Sequence, residues 1–201
     1  DLVRSRGLGD VYKRQTLDRP IGFPFVFGGE VETTYRIAAN GFINFVSNGG
    51  LASAAGGNVL NVSNTGVLKV ISGHNQDLLR GANGELGVKT LGVAPNRILV
   101  VQWKNVQVWN TANNFLFNFQ IRLHETTNVA EVIYGNYTIE AIAPARTCQV
   151  GIRVGLVANT MAVTTAANWN AATTTNVATT LMPISTVASP TSCLLYTSPS
   201  P

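Results

Sequence analysis

The clearest pattern along the chain is a strict alternation: Phe115, Phe117, Phe119, Ile121 and Leu123 fall on one side of the backbone, Asn118, Gln120, Arg122 and His124 on the other. A period of two marks a strand with one face buried and one face wet. Upstream, Ala94-Pro95-Asn96 reads as a turn, because proline fixes φ and asparagine tolerates left-handed geometry, and Arg97 to Trp103 leaves it as a second strand. Downstream, Glu125 to Asn128 reads as a hairpin turn. With His124 facing Val129, Leu123 meets Ala130, Ile121 meets Val132 and Phe119 meets Tyr134. The same register sets Arg122 opposite Glu131 on the polar face, where opposite charges contribute roughly 0.2–1 kcal/mol. A slip by one residue would turn every apolar side chain to water.

The remaining pattern is of the same kind. Phe23, Phe25 and Phe27 share one face, and Pro24 on the other face predicts an edge strand. Gly28-Gly29 turns the chain, Thr34 to Ala38 forms the next strand, and Asn40-Gly41 before Phe42-Ile43-Asn44-Phe45 is a hairpin signal. Residues Ser47 to Gly66, rich in Asn, Gly, Ala and Ser, read as a long surface loop, Val67 to Ile71 as a strand, His74-Asn75-Gln76-Asp77 as a turn, and Gly84 to Leu91 as a short strand. Val106 and Val108 are out of phase with Leu99, Val101 and Trp103, which predicts a bulge near Lys104-Asn105 and leaves the direction of Trp109 open. Past Tyr134, Asn136-Tyr137-Thr138 and Pro144 read as an irregular link to a strand carrying Cys148, Val150, Ile152 and Val154 on one phase. Met161-Ala162-Val163 and Trp169 are the apolar anchors of the Ala-, Thr- and Asn-rich end. No heptad, helical stripe or long repeat is present. The pattern predicts an all-β chain, a single antiparallel β-sandwich of jelly-roll-like form.

The two ends change the picture of composition. Asp10 to Gln15 resembles a translated transposase sequencing adapter, and Cys193 to Ser198 resembles the translation of its reverse complement. Residues 1–15 and 193–201 are therefore set aside as adapter-like scars, and 16–192 is taken as a sandwich domain truncated at both ends. Without the scars, Lys plus Arg falls from 14 to 10 and Asp plus Glu from 10 to 8. The basic balance is mostly adapter, and a nucleic-acid role loses its electrostatic footing. Cys193 belongs to a scar, so Cys148 stands alone as a small buried hydrophobe rather than half of a disulfide. No apolar run approaches the roughly 20 residues that span a bilayer.

Chemistry is sparse. His74 and His124 are the only histidines, and His74-Asn75-Gln76-Asp77 lacks both a calcium-loop pattern and a second histidine at ligand spacing. No nucleophile motif is present, and Glu125 with Glu131 is accounted for by a turn and a cross-strand ion pair rather than by an acid pair flanking a sugar. The expectation is no catalytic residue, no metal ligand and no cofactor. Asn61-Val62-Ser63 and Asn136-Tyr137-Thr138 match the glycosylation sequon, which matters only in a eukaryotic secretory route. The candidate contact surface is the Lys104 to Asn114 loop, where Trp109 stands among Asn110, Asn113 and Asn114. An exposed aromatic among amides stacks on a sugar face and bonds its hydroxyls; the alternative is that Trp109 folds back onto the sheet.

At Ile21-Gly22-Phe23-Pro24-Phe25, Asn40-Gly41-Phe42, Ala94-Pro95-Asn96-Arg97, Val101-Gln102-Trp103-Lys104-Asn105, Phe119 to Asn128 and Tyr134-Gly135, the chain resembles β-sandwich modules of large secreted and surface proteins of Bacteroidota. Many of those end in a type IX secretion sorting domain, and the chain is more loosely similar to nidogen-like domains. The resemblance covers nearly all of 20–190. It departs at His74-Asn75-Gln76-Asp77-Leu78, where such modules often carry an aromatic followed by Asp-Asp and only Asp77 and Leu78 match. The resemblance implies a fold and an extracellular or cell-surface address rather than a chemistry. The functional expectation is a non-catalytic unit for adhesion or ligand binding. Its partners would be a glycan or surface polymer and the neighbouring domains of the parent chain. The alternatives are a structural spacer in a multidomain adhesin and an accessory domain of a secreted hydrolase.

Overall fold

The computed structural model describes residues 17–46, 59–60, 68–109, 116–138, 146–155, 160–163, 174–175, 182–184 and 194–197. The chain opens with β1 (Arg19–Phe27), β2 (Glu30–Ala38), β3 (Phe42–Asn44) and β4 (Val70–Asn75). It continues through β5 (Leu78–Leu91), β6 (Ile98–Val108), β7 (Leu116–His124), β8 (Val129–Thr138) and β9 (Arg146–Arg153). Four short strands close it: β10 (Thr160–Val163), β11 (Thr174–Thr175), β12 (Met182–Ile184) and β13 (Leu194–Thr197). They make two antiparallel sheets packed face to face. One runs β1-β2-β3-β4-β9-β10-β11, with β12 also pairing β9; the other runs β13-β8-β7-β6-β5.

The alternation of β7 governs the interface between the sheets. Phe117, Phe119, Ile121 and Leu123 are buried, and the β7–β8 ladder pairs Phe119 with Tyr134, Ile121 with Val132, Arg122 with Glu131 and Leu123 with Ala130. Phe115 lies outside the described residues. From β6, Leu99, Val101 and Trp103 join them; from the facing sheet come Phe23, Phe25, Phe27, Ile37, Ile71 and Cys148. The sheets are also tied by polar bonds that no local pattern announces. The Trp103 indole N–H donates to Ala39 O at 3.2 Å, and the Tyr134 hydroxyl donates to Gly73 O at 2.5 Å. Glycine is required at 73 because a Cβ there would lie 2.8 Å from Phe119 Cδ2, closer than carbon atoms approach.

Pro24 is exposed on β1, an edge strand as the sequence predicts. Cys148 is fully buried in the core, where burial pushes its thiol well above the usual range. In a Cys193→Ser background, Cys148 is expected to resist N-ethylmaleimide at about pH 8 and to react once guanidinium unfolds the chain, since the thiolate is the nucleophile. Labelling of the native chain at the rate of a free thiol would contradict that placement.

Several expectations need correction. The strand predicted at Val67 to Ile71 begins at Val70 and runs on to Asn75, so His74 and Asn75 are strand residues rather than a turn. The register between β4 and β9 shifts between Ser72 and Asn75. The extra residue on β4 turns both Gly73 and His74 toward the second sheet, and the His74 ring centroid lies 4.2 Å from that of Phe117. Asn136-Tyr137-Thr138 extends β8 instead of forming an irregular link. Within the predicted surface loop Ser47 to Gly66, Val59 and Leu60 are fully buried on the outer side of the first sheet. The Asn75 carboxamide oxygen accepts from Val59 N at 3.0 Å and that of Gln149 from Leu60 N at 2.7 Å. These bonds satisfy main-chain groups that burial would otherwise strand. At the edge of the second sheet, Leu194–Thr197 pairs antiparallel with Val129–Val132.

Candidate functional site

β5 and β6 form the longest ladder of the second sheet, and an irregularity splits it. Arg80 pairs with Val106 and Glu85 with Lys104, so Gly81 to Gly84 stand opposite Asn105 alone. Asn105 takes φ of 48° and donates from its side-chain amide to Asn83 O at 3.3 Å. A side chain at Gly81 would meet Asn105 O at 2.6 Å, so the looped-out segment closes over the bulge only with glycine there. Beyond the bulge the alternation of β6 is reset. Val106 and Val108 are buried, while Gln107 is half-buried.

That reset decides the direction of Trp109, which is 51% exposed. Its backbone N–H donates to Asp77 O at 2.7 Å, carrying the Leu78–Val108 pairing one residue further. Asp77 therefore stands opposite Trp109 across the ladder, at the Cβ separation of about 4.5–5.5 Å typical of such neighbours. Gln107, paired with Leu79, lies two residues back on the same face. Of the residues expected at this site, Trp109 is exposed to solvent; Asn110, Asn113 and Asn114 lie outside the described residues. Asp77 and Gln107 were missed because the unequal bulge hides the register that brings Asp77 to Trp109. The legible signal was the phase break at Val106 and Val108.

The other carboxylates among the described residues are engaged in ion pairs. The Arg97 guanidinium holds Glu125 through its Nε, at 2.8 Å from Oε2, and through Nη2. It also donates to Gly22 O at 2.7 Å and lies over the Phe23 ring. That pairing lowers the Glu125 carboxyl to about 2. Glu131 sits 3.6 Å from Arg122 Nη1 and 3.4 Å from His124 Nε2. Asp18 pairs with Arg36, Glu30 and Glu32 with Lys69, and Glu85 with Lys104. Among the described residues Asp77 is the one carboxylate without a cation partner. No group of three or more metal-ligating side chains occurs among them.

A family model described as NIDO related matches residues 8–197. No curated protein and no solved structure matches the chain.

Proposed function

The chain belongs to the NIDO-related family, and from that premise we propose that it serves outside the cell as a non-catalytic adhesion or ligand-binding module whose contact residue is Trp109. The exposed indole carries this reading. A large aromatic is left half in water at the end of the β5–β6 ladder, on the face opposite buried Val106 and Val108, where its apolar ring is open to a partner. A sugar ring fits such a surface, its C–H face on the indole and its hydroxyls reaching the polar groups beside it. No helix among the described residues is long and apolar enough to cross a membrane. Placement in a type IX-secreted surface protein of Bacteroidota belongs to the same proposal and rests on the resemblance of the sequence motifs.

The test is a glycan array probed with the full chain and with Trp109→Ala. The expected result is binding that Trp109→Ala weakens at least about tenfold, the weight a tryptophan anchor carries at binding surfaces. Binding that the substitution leaves untouched removes Trp109 from the site. Absence of any binding favours a spacer between neighbouring domains.

A further inference from the structure

Resting on the reading of Trp109 as a ligand contact, we propose that Asp77 and Gln107 complete the site and that it takes a neutral sugar ring bearing adjacent hydroxyl groups. Asp77 is the carrying observation. Every other carboxylate among the described residues is engaged by a Lys, Arg or His, whereas the Asp77 carboxylate, opposite the exposed Trp109, has no ion-pair partner among them. The main chain of Asp77 is fixed on both sides: its N–H donates to the Gln76 side-chain oxygen at 2.9 Å and its carbonyl accepts from Trp109. The carboxylate is thus presented from a set backbone, and ordering it costs little more on binding.

The three side chains divide the chemistry of one ligand. The indole offers an apolar face, the carboxylate accepts hydroxyl protons, and the Gln107 amide, on the same face, both donates and accepts. Sugar hydroxyls use both roles. The charge of Asp77, about 5 Å from the indole by the cross-strand register, repels a uronate or sulfate stacked there. The site therefore selects neutral over anionic glycans.

Isothermal calorimetry decides this with neutral gluco-, manno- and galacto-oligosaccharides, uronate-bearing and sulfated oligosaccharides, and a Lys/Arg-rich peptide as probes. The full chain is compared with Trp109→Ala, Asp77→Ala, Asp77→Asn and Gln107→Ala, each checked for an unchanged melting curve. The expected result is binding of a neutral oligosaccharide that Trp109→Ala and Asp77→Ala each weaken, Asp77→Ala by about 10- to 100-fold, the loss of hydrogen bonds to an ionised acceptor. Gln107→Ala weakens it less, and Asp77→Asn relaxes the discrimination against uronate-bearing probes. If Trp109→Ala weakens binding and Asp77→Ala changes it less than about twofold, the Asp77 assignment is overturned while the Trp109 reading stands. If neither substitution matters, or nothing binds, both fall. A preference for anionic glycans or for the basic peptide overturns the ligand class alone.

Discussion

Between about pH 7 and pH 4.5 the chain is expected to lose roughly 2–3 kcal/mol of stability through His74 alone, and His74→Phe to remove that part of the loss. The bulge in β4 directs the imidazole into the core beside Phe117 and Phe119, where it is fully buried. Burial disfavours the imidazolium and holds its pKa down at about 3, against 6.5 for the free side chain, with a backbone hydrogen bond opposing part of the shift. The folded chain therefore keeps His74 neutral while the unfolded chain takes up a proton as soon as the pH drops below about 6.5. Stability from this group is fully present above that value and drains away as pH falls toward 3. Urea melts across that range check it. The two chains differ only at residue 74, so the difference in slope isolates His74. Parallel slopes in the two chains would refute the assignment.

Trp103→Ala carries the largest expected cost of a single truncation, about 3–5 kcal/mol, as for other buried tryptophans. The indole is completely buried and stacks on Phe119 with centroids 4.7 Å apart and planes 8° from parallel. Removing it opens a cavity between the sheets and leaves Ala39 O without the donor that now bonds it at 3.2 Å. For a chain of this size that corresponds to a fall in Tm on the order of 10 °C or more. Trp103→Phe separates the two effects. It keeps much of the stacking and loses the hydrogen bond, so its cost should be nearer about 1–2 kcal/mol. A thermal melt of Trp103→Ala within a few degrees of the parent would mean that the sheets do not close over this ring.

The central hairpin was legible in the sequence from its turn as far as the Phe119–Tyr134 pair, beyond which the register shifts. Its turn is short, and one register alone buries Ile121 with Val132 while pairing Arg122 with Glu131. The bulge at Lys104-Asn105 was legible as well, because Val106 and Val108 break the phase set by Leu99 to Trp103. Its size was not, since a phase break records only odd or even and says nothing of the four residues looped out opposite Asn105. His74 was misplaced for a related reason. A histidine between Gly73 and Asn75 has the composition of a turn, and the register shift against β9, some 75 residues away in sequence, is what turns it inward. Val59 and Leu60 were hidden too. Two apolar residues in a Gly- and Asn-rich stretch carry no period, and the side chains that hold them, Asn75 and Gln149, come from other strands.

The sequence by itself determined the class of fold, the register of the central hairpin, the burial of Cys148 and the membership of Trp109 among the candidate contacts. Each of these rests on a side-chain period of two or on a turn a few residues long, so neighbouring residues suffice to specify it. Only the tertiary structure decided that Trp109 faces water, that Asp77 stands opposite it with no cation partner among the described residues, and that His74 lies in the core. Those outcomes depend on bulges and on pairing between strands far apart in the chain, where the packing of two whole sheets selects among registers that local pattern leaves equivalent.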